Sequence, residues 1–492
     1  MKMNDLLTFL NKISHRPSQI FHYEREILRH RNQLQYIARK SIRMPSPISF
    51  QKSPHISTKN PSQTVQSLRN LSPLLESSIV LYLVYRIRHE NVHFTSLWSE
   101  LESFLKIYFT SKQFAYLYKR IKNFSWDIAL RGKTPVERLS LRFAMPSFFI
   151  QQLVKKLGMS EAEKQIKAIS KAHKMGKFSV VFPSSYSIPQ NQNLTQNQNS
   201  EQSTIYSLLN ICAQKKVHYQ QHAHIPSLFI FNNRDKSHLI VLPEFRNAHA
   251  MIQEIPSYIT VYIGLEAARS ASLLKNKNLT SIPLSILEYC AAPGSKTRLI
   301  ETLKQPNDRV LAQDIHTQRI HTIPQLIQAP NLNFLQADGI TPCYRLEMMA
   351  DNFDGAKFDL IFLDAPCTGS GTLHVNPELK WRQSENFLYK HVKLQEKLLQ
   401  NAVTMLKPGG ILIYSTCSLY SEENERHFTP SALKELKIRP LNLPSWISQK
   451  ETIPLAPIPE IHQLIKSMHY FSPMHNSTAG FFLASFKRIL SE

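Results

Sequence analysis

Apolar residues recur at helical spacing from Ser72 to about Leu139, at Leu74, Ile79, Leu83, Leu97, Leu101, Leu105 and Phe109, which predicts several packed helices. None is long or unbroken enough for a coiled coil. The aromatic side chains of this stretch (Phe104, Tyr108, Phe109, Phe114, Tyr116, Tyr118) read as core rather than as a base-stacking surface. From Pro146 to about Ser270 the pattern changes. Phe148–Leu157 keeps helical spacing, whereas Phe178–Phe182, Leu228–Phe231, Leu239–Leu242 and Tyr258–Ile263 are short apolar runs that predict strands. From Ser281 onward the runs Ile286–Cys290, Val310–Gln313, Phe334–Gln336, Phe358–Leu363 and Ile411–Ser415 alternate with helical stretches. Such alternation predicts an open, mostly parallel sheet with ligand loops at the carboxyl ends of its strands.

The breaks between these patterns give the organisation. Residues 1–65 combine helical pieces with the Pro/Ser-rich run MPSPISFQKSPHISTKNPSQ and read as a basic N-terminal segment and linker. An all-helical region follows over 66–145, an α+β subdomain over 146–275, and an α/β, Rossmann-like domain over 276–492. Within the subdomain, the polar run QNQNLTQNQNSEQS predicts a disordered insertion near 187–204. No internal repeat is visible.

Charge narrows the partners. Lys and Arg number 59 against 36 Asp and Glu, a formal +23, and residues 1–60 alone hold eleven against three. A surplus of this size draws polyanions, nucleic acid first among them, without distinguishing RNA from DNA or anionic lipid. The longest apolar run, Ile79 to Tyr85, is far short of the ~20 residues that span a bilayer. A soluble, cytoplasmic protein is therefore expected. Five cysteines (Cys212, Cys290, Cys343, Cys367, Cys417) and no CxxC pair predict reduced thiols. His218, His222 and His224 lack the cysteine or carboxylate companions of a metal site and read as surface histidines; no metal is expected.

Seven of the twelve glycines fall between Gly294 and Gly410, which concentrates backbone freedom where a ligand would approach. ILEYCAAPGSKT is a strand, a small-residue turn and a helix start, so a ligand can lie against main chain beside a helix N-terminus. It is neither GxxxxGK nor GxGxxG. Asp314 and Asp338 end the next two strands, where Rossmann-type folds bind ribose and base edges. FDLIFLDAPCTGSGT and ILIYSTCSLYSEENE each place a thiol, Cys367 and Cys417, beside a sharp turn at a strand end. Strand cysteines are ordinarily small core hydrophobes, the reading for Cys212, Cys290 and Cys343; two at strand ends, one near Asp364, suggest a nucleophile.

CAAPGSKT, DAPCTGSG and STCSLYSEENE resemble the three signature motifs of the Sun/Nop family of S-adenosylmethionine-dependent RNA cytosine-C5 methyltransferases, in its RsmB-like branch. NPELKWR and LKPGG fall where the family has similar segments, and RFAMPSFFIQQLVKKLG and MIQEIPSYIT resemble its lead-ins to an RNA-binding subdomain and to the catalytic domain. The resemblance implies 5-methylcytosine formation, with small-subunit ribosomal RNA as the expected substrate. Transfer RNA is one alternative, and a non-catalytic ribosome assembly factor with a relic cofactor pocket is another. Ahead of about Pro146 the resemblance is weak, and whether the helical region is NusB-like stays open.

Carried over by position, Cys417 would be the nucleophile and Cys367 would aid product release, although the Pro-Cys order of DNA methyltransferases would nominate Cys367 instead. Cys290, Ala291, Ala292, Pro293, Gly294, Ser295, Lys296, Asp314, Asp338 and Asp364 would hold S-adenosyl-L-methionine, with Lys296 and Asp364 also facing the base. Trp381 and Arg382 are placed either to touch RNA or, for the Trp, to fill core. Three departures stand out. Ser295 replaces a family glycine, with a hydroxyl expected to cap the helix. Ala479 replaces an acid before Gly480-Phe481-Phe482, in an expected late strand. Pro324 breaks the helix after Asp314.

Overall fold

The computed structural model describes residues 10–11, 16–42, 78–108, 110–175, 177–181, 208–232, 235–243, 245, 250–275, 282–327, 329–340, 353, 357–447, 461–474 and 478–489. The Pro/Ser-rich run, the polar insertion near 187–204 and Cys343 lie outside them. Two compact units divide the chain. The first holds residues 1–151 together with Asn376–Arg382; the second holds Gln152–Val375 and Gln383–Glu492.

The first unit is helical. Pro17–Ile42, Ser78–Arg88, Phe94–Tyr108, Ser111–Lys122 and Pro135–Phe143 are its main helices. Thr110 and Thr134 each start a helix with a capping box, accepting from the third backbone N–H while Gln113 or Glu137 reaches back. Their apolar faces converge on Ile27, Leu34, Leu83, Leu101 and Phe114, all at or near zero exposure. Phe114 and Tyr118 are core as expected, but Tyr116 is 40% exposed, with Arg120 over its ring.

The second unit carries two sheets. The smaller is antiparallel, in the order β2 (Tyr219–His222), β3 (Ile225–Asn232), β1 (Lys177–Val181), β4 (Met251–Gln253). The larger holds β5 (Ser285–Tyr289), β6 (Arg309–Asp314), β7 (Leu332–Gln336), β8 (Phe358–Asp364), β9 (Leu406–Thr416), β10 (Ile438–Pro440), β11 (Met468–Phe471) and β12 (Phe481–Arg488). Its order is β10-β12-β9-β8-β5-β6-β7, with β11 pairing β12. β7, β6, β5, β8 and β9 run parallel, and β12 pairs antiparallel with β9. The order reverses at β5, so the crevice for a ligand opens above β5, β6 and β8.

Two apolar runs read as strands are not strands. Leu239 closes a short helix, Lys236–Leu239, and the chain turns after it. Tyr258–Ile263 lies within a 21-residue helix, Ile255–Lys275. Its β-branched run packs against Leu360, Phe362, Ile411 and Ile413 of the sheet, so the helix has little polar face to betray its period. At Gly264 a Cβ would fall 2.4 Å from the Phe362 ring, which is how the helix approaches β8 so closely.

Candidate active site

The carboxyl ends of β5, β6, β7, β8 and β9 surround a cavity of about 500 Å³. Cys290, Ala292, Ser295, Lys296, Asp314, Asp338, Asp364, Cys367 and Cys417 all line it. Residues read from five separate segments therefore meet in one place. Ala291, Pro293 and Gly294 form the turn but do not line the cavity. Ala291 is buried against Ala312, Ile320 and Ile323, and Pro293, joined to Ala292 by a cis peptide, points to solvent.

The turn is built by φ values that few residues tolerate. Gly294 sits at φ 98° as the N-cap of the helix Ser295–Leu303, and a Cβ there would meet Ile323 at 2.9 Å. Ser295 is the first helical residue and caps nothing with its side chain, contrary to expectation. Cys290 also has positive φ, 62°, and forms cavity wall rather than core. Burial and the neighbouring Asp314 push its thiol well up, which suits an inert wall residue. Cys212, by contrast, is fully buried as expected.

The carboxylates are tied to this frame. Asp314 accepts the backbone N–H of Ala292 at 3.0 Å and of His316 at 2.9 Å, joining the β5 and β6 loops. Asp364 accepts Lys296 Nζ at 2.5 Å and the Ser415 hydroxyl at 2.8 Å. A cation and an acid thus stand together at the end of β8. Beneath them Glu288 is buried at 1% exposure, and burial raises its carboxyl to about 8.

The two thiols face each other with Sγ–Sγ 3.3 Å. Both are partly exposed, and both open to the cavity. The Cys417 sulfur beside it, burial and the Glu423 carboxylate push the Cys367 thiol well up. Backbone bonds lock the two loops: Gly371 N donates to Cys417 O, and Gly480 N to Gly371 O, each at 2.9 Å.

Further residues complete the wall. Gln253 bonds Ser257 Oγ at 3.2 Å and Ser295 O at 3.4 Å, and lies within the quoted MIQEIPSYIT. Arg319 lines the cavity from the helix Thr317–Ile320, which ends before the Pro324 break as expected. Leu394 and Leu398, on the helix Glu385–Met405, carry no motif and were invisible. Ala479, Gly480 and Phe481 close the wall, so the departure at Ala479 falls at the site. The expected late strand is β12, whose first residue is Phe481. Among the described residues no group of three His, Cys, Asp or Glu could hold a metal ion.

A parallel sheet with one antiparallel strand inserted near its edge, a small-residue turn after its central strand and paired thiols define the class: a Rossmann-like methyltransferase fold. Residues 272–487 match the family model described as 16S rRNA methyltransferase RsmB/F. The ribosomal RNA small subunit methyltransferase B of Pasteurella multocida is 28% identical over 253 residues, 51% of this chain and 49% of that one. The 28S rRNA (cytosine-C(5))-methyltransferase of Mus musculus is 31% identical over 215 residues, 41% and 25% respectively. The crystal structure of a methyltransferase homolog protein from Pyrococcus horikoshii aligns with TM-score 0.51 at 23% identity, over 73% of this chain and all of that one. Over residues 272–487 the chain is thus similar to the 16S rRNA methyltransferase RsmB/F family. The chain matches half or less of the length of these curated relatives.

Proposed function

We propose that the protein is an S-adenosylmethionine-dependent RNA cytosine-C5 methyltransferase acting on small-subunit ribosomal RNA. The observation that carries the reading is the pair of thiols 3.3 Å apart, opening into the same cavity as the Gly294 turn and the Asp314 and Asp338 strand ends. The substrate class follows the relatives' names, and the +23 charge supports an RNA partner.

The cavity fits the cofactor. Gln313 Oε1 is buried in its wall with no hydrogen-bond partner among the described residues, an acceptor awaiting a donor from a ligand. S-adenosylmethionine, when bound, supplies an electrophilic methyl group. Ala292, Ser295, Asp314, Gln313 and Asp338 would hold it at the β5–β6–β7 side.

Cytosine C5 is too weak a nucleophile to accept a methyl group unaided. Cys417, as thiolate, adds to C6 of a base turned out of its stack, and the electron pair of the C5–C6 bond makes C5 nucleophilic. Lys296 and Asp364 face that base: the ammonium offsets charge at O2 and the carboxylate holds the N3–N4 edge. After methylation the C5 proton leaves to a base, its electrons re-form the C5–C6 double bond, and Cys417 departs from C6. Cys367, whose thiol is pushed up by the Cys417 sulfur beside it, by burial and by Glu423, is matched to assisting that departure rather than to attack.

The test is methyl transfer from labelled S-adenosylmethionine to total RNA, with the modified RNA identified and a denaturing gel run for adducts. Cys417→Ala is expected to abolish transfer without an adduct. Cys367→Ala is expected to accumulate a slow-migrating protein–RNA species. Full transfer by Cys417→Ala would overturn the mechanism, and 5-methylcytosine confined to transfer RNA would overturn the substrate.

A further inference from the structure

Behind the thiols lies a run of three buried polar side chains, of which the mechanism above touches only Glu423. Ser421–Glu423 and Glu425–Phe428 are short 3-10 turns joined at Asn424, and Glu423, Asn424 and Glu425 all have 0% exposure. Three consecutive buried polar residues are costly unless each is fully bonded, and each of these is bonded.

Their partners are informative. Glu423 Oε1 accepts the backbone N–H of Thr368 at 2.8 Å and Gln395 Nε2 at 3.1 Å, while Oε2 accepts the Thr368 hydroxyl at 2.5 Å. Thr368 is the residue after Cys367. Asn424 Oδ1 accepts the Thr416 hydroxyl at 2.6 Å, and its Nδ2 donates to Ser418 O and Tyr470 Oη at 2.9 Å. Thr416 and Ser418 flank Cys417. Glu425 anchors the run from behind: it lies 3.0 Å from Lys156 Nζ and accepts the Tyr470 hydroxyl, and Lys156 Nζ sits 3.7 Å from the Tyr470 ring centre. One side chain therefore grips each cysteine loop, and a buried ion pair holds both grips to the same base.

We propose that Glu423 and Asn424 are positioning residues for the two thiols: Asn424 presents Cys417 for attack, while Glu423 fixes the Cys367 loop and its negative charge keeps the proton on Cys367. The proposal deepens the functional reading and rests on it for the roles of the two sulfurs. A purely structural network would need the hydrogen bonds but not the charge, and that distinction is measurable. The titratable groups facing this corner are Tyr414 from β9, Cys417 and Tyr420 from the loop after it, Glu423 itself, and His391 from the helix Glu385–Met405.

The test is the pH profile of iodoacetamide alkylation at Cys367 and Cys417, read by peptide mass in the full-length protein without RNA. Wild type is expected to react at Cys417 first and at Cys367 only at higher pH. Glu423→Gln retains acceptor and shape but loses the charge. It is expected to lower the pH at which Cys367 reacts by about one unit, roughly tenfold in rate at a fixed alkaline pH, with thermal stability little changed. An unshifted Cys367 profile in a folded Glu423→Gln protein would overturn the electrostatic role. Asn424→Ala is expected to cut Cys417 alkylation and methyl transfer roughly tenfold or more while leaving affinity for S-adenosylmethionine near wild type, in line with truncation of a positioning contact. Unchanged Cys417 reactivity would overturn the role of Asn424. Should the alanine variant fail to fold, Asn424→Asp, which keeps the acceptor for Thr416 and loses the two donated bonds, carries the same measurement. Methyl transfer by wild type, scored in the same preparation, separates the two readings. Its absence with the alkylation shifts intact would sink the proposed function and leave the thiol positioning standing.

Discussion

Gly371 shows how little room the site leaves. A Cβ there would sit 2.1 Å from the carbonyl oxygen of Gly480, at the point where Gly371 N–H already binds Cys417 O. Gly371→Ala is expected to lose roughly 1–3 kcal/mol of stability by overpacking and to lose methyl transfer; urea midpoints and the labelled-methyl assay check both. Glu288 makes a second case. Its carboxyl is raised to about 8 by burial, with Lys296 opposing and Asp364 and Asp314 adding to the rise. Between its unfolded value and that raised one, the folded state binds the extra proton, so stability is greatest at the acid end of the window and falls as pH rises toward 8. Glu288→Gln is expected to flatten that fall, as seen in melting temperatures from about pH 5 to about pH 8. At this scale the sequence was informative about chemistry: Lys296, Asp314, Asp364 and both thiols were named from their motifs, and they line one cavity. Gln253 and Glu288 were not named, because a lone Gln and an acid within a strand carry no chemistry until the fold brings them to the site.

The helix Ile255–Lys275 shows what an element hides. Its run YITVYIG satisfies strand propensity, and only its length and its packing against β8 and β9 make it a helix. The parallel strands were legible because glycines and acids punctuate their carboxyl ends, whereas β10 and β11, three and four residues long, offer no pattern to read. The segment Pro377–Arg382 was expected to touch RNA or fill core. Trp381 Nε1 donates to Leu28 O at 2.8 Å, with Arg31 over its ring, which makes it part of the helical unit. Beside it Lys380 is 2% exposed and donates to the carbonyls of Arg29 and Ala144, each at 3.1 Å. Burial, with the Arg29 charge adding, lowers its ammonium to about 7. Lys380→Met would remove both bonds and strip the Ala144 carbonyl of its lysine partner, costing about 1–3 kcal/mol. Hydrogen exchange is expected to accelerate in Pro17–Ile42 and around Ala144 while the parallel sheet stays protected.

Over the whole molecule, the order β10-β12-β9-β8-β5-β6-β7 could be anticipated only as far as its parallel part. Antiparallel insertion of β12 between β9 and β10 depends on pairings across more than sixty residues, Ile411 to Lys487 among them, which no local pattern encodes. Charge acts at this scale too. If the formal +23 meets a phosphate backbone, RNA affinity is expected to fall roughly tenfold or more between about 50 and about 200 mM salt, with a linear log–log slope. A flat slope in a filter-binding titration would disconnect the basic surplus from the substrate.

The placement of residues 376–382 with the first unit has a consequence for synthesis. A ribosome making this chain releases Gln151 long before Arg382, and at 5–20 residues per second the interval is roughly 10–50 s. Throughout that time the nascent helical unit lacks Lys380 and Trp381, and the bonds these side chains give to the carbonyls of Arg29, Ala144 and Leu28 wait for a later stretch of the same polypeptide. Completion of the amino-terminal unit is thereby timed to the emergence of the stretch just after the Cys367 loop, so that the earliest part of the protein to be made is not the earliest to be finished.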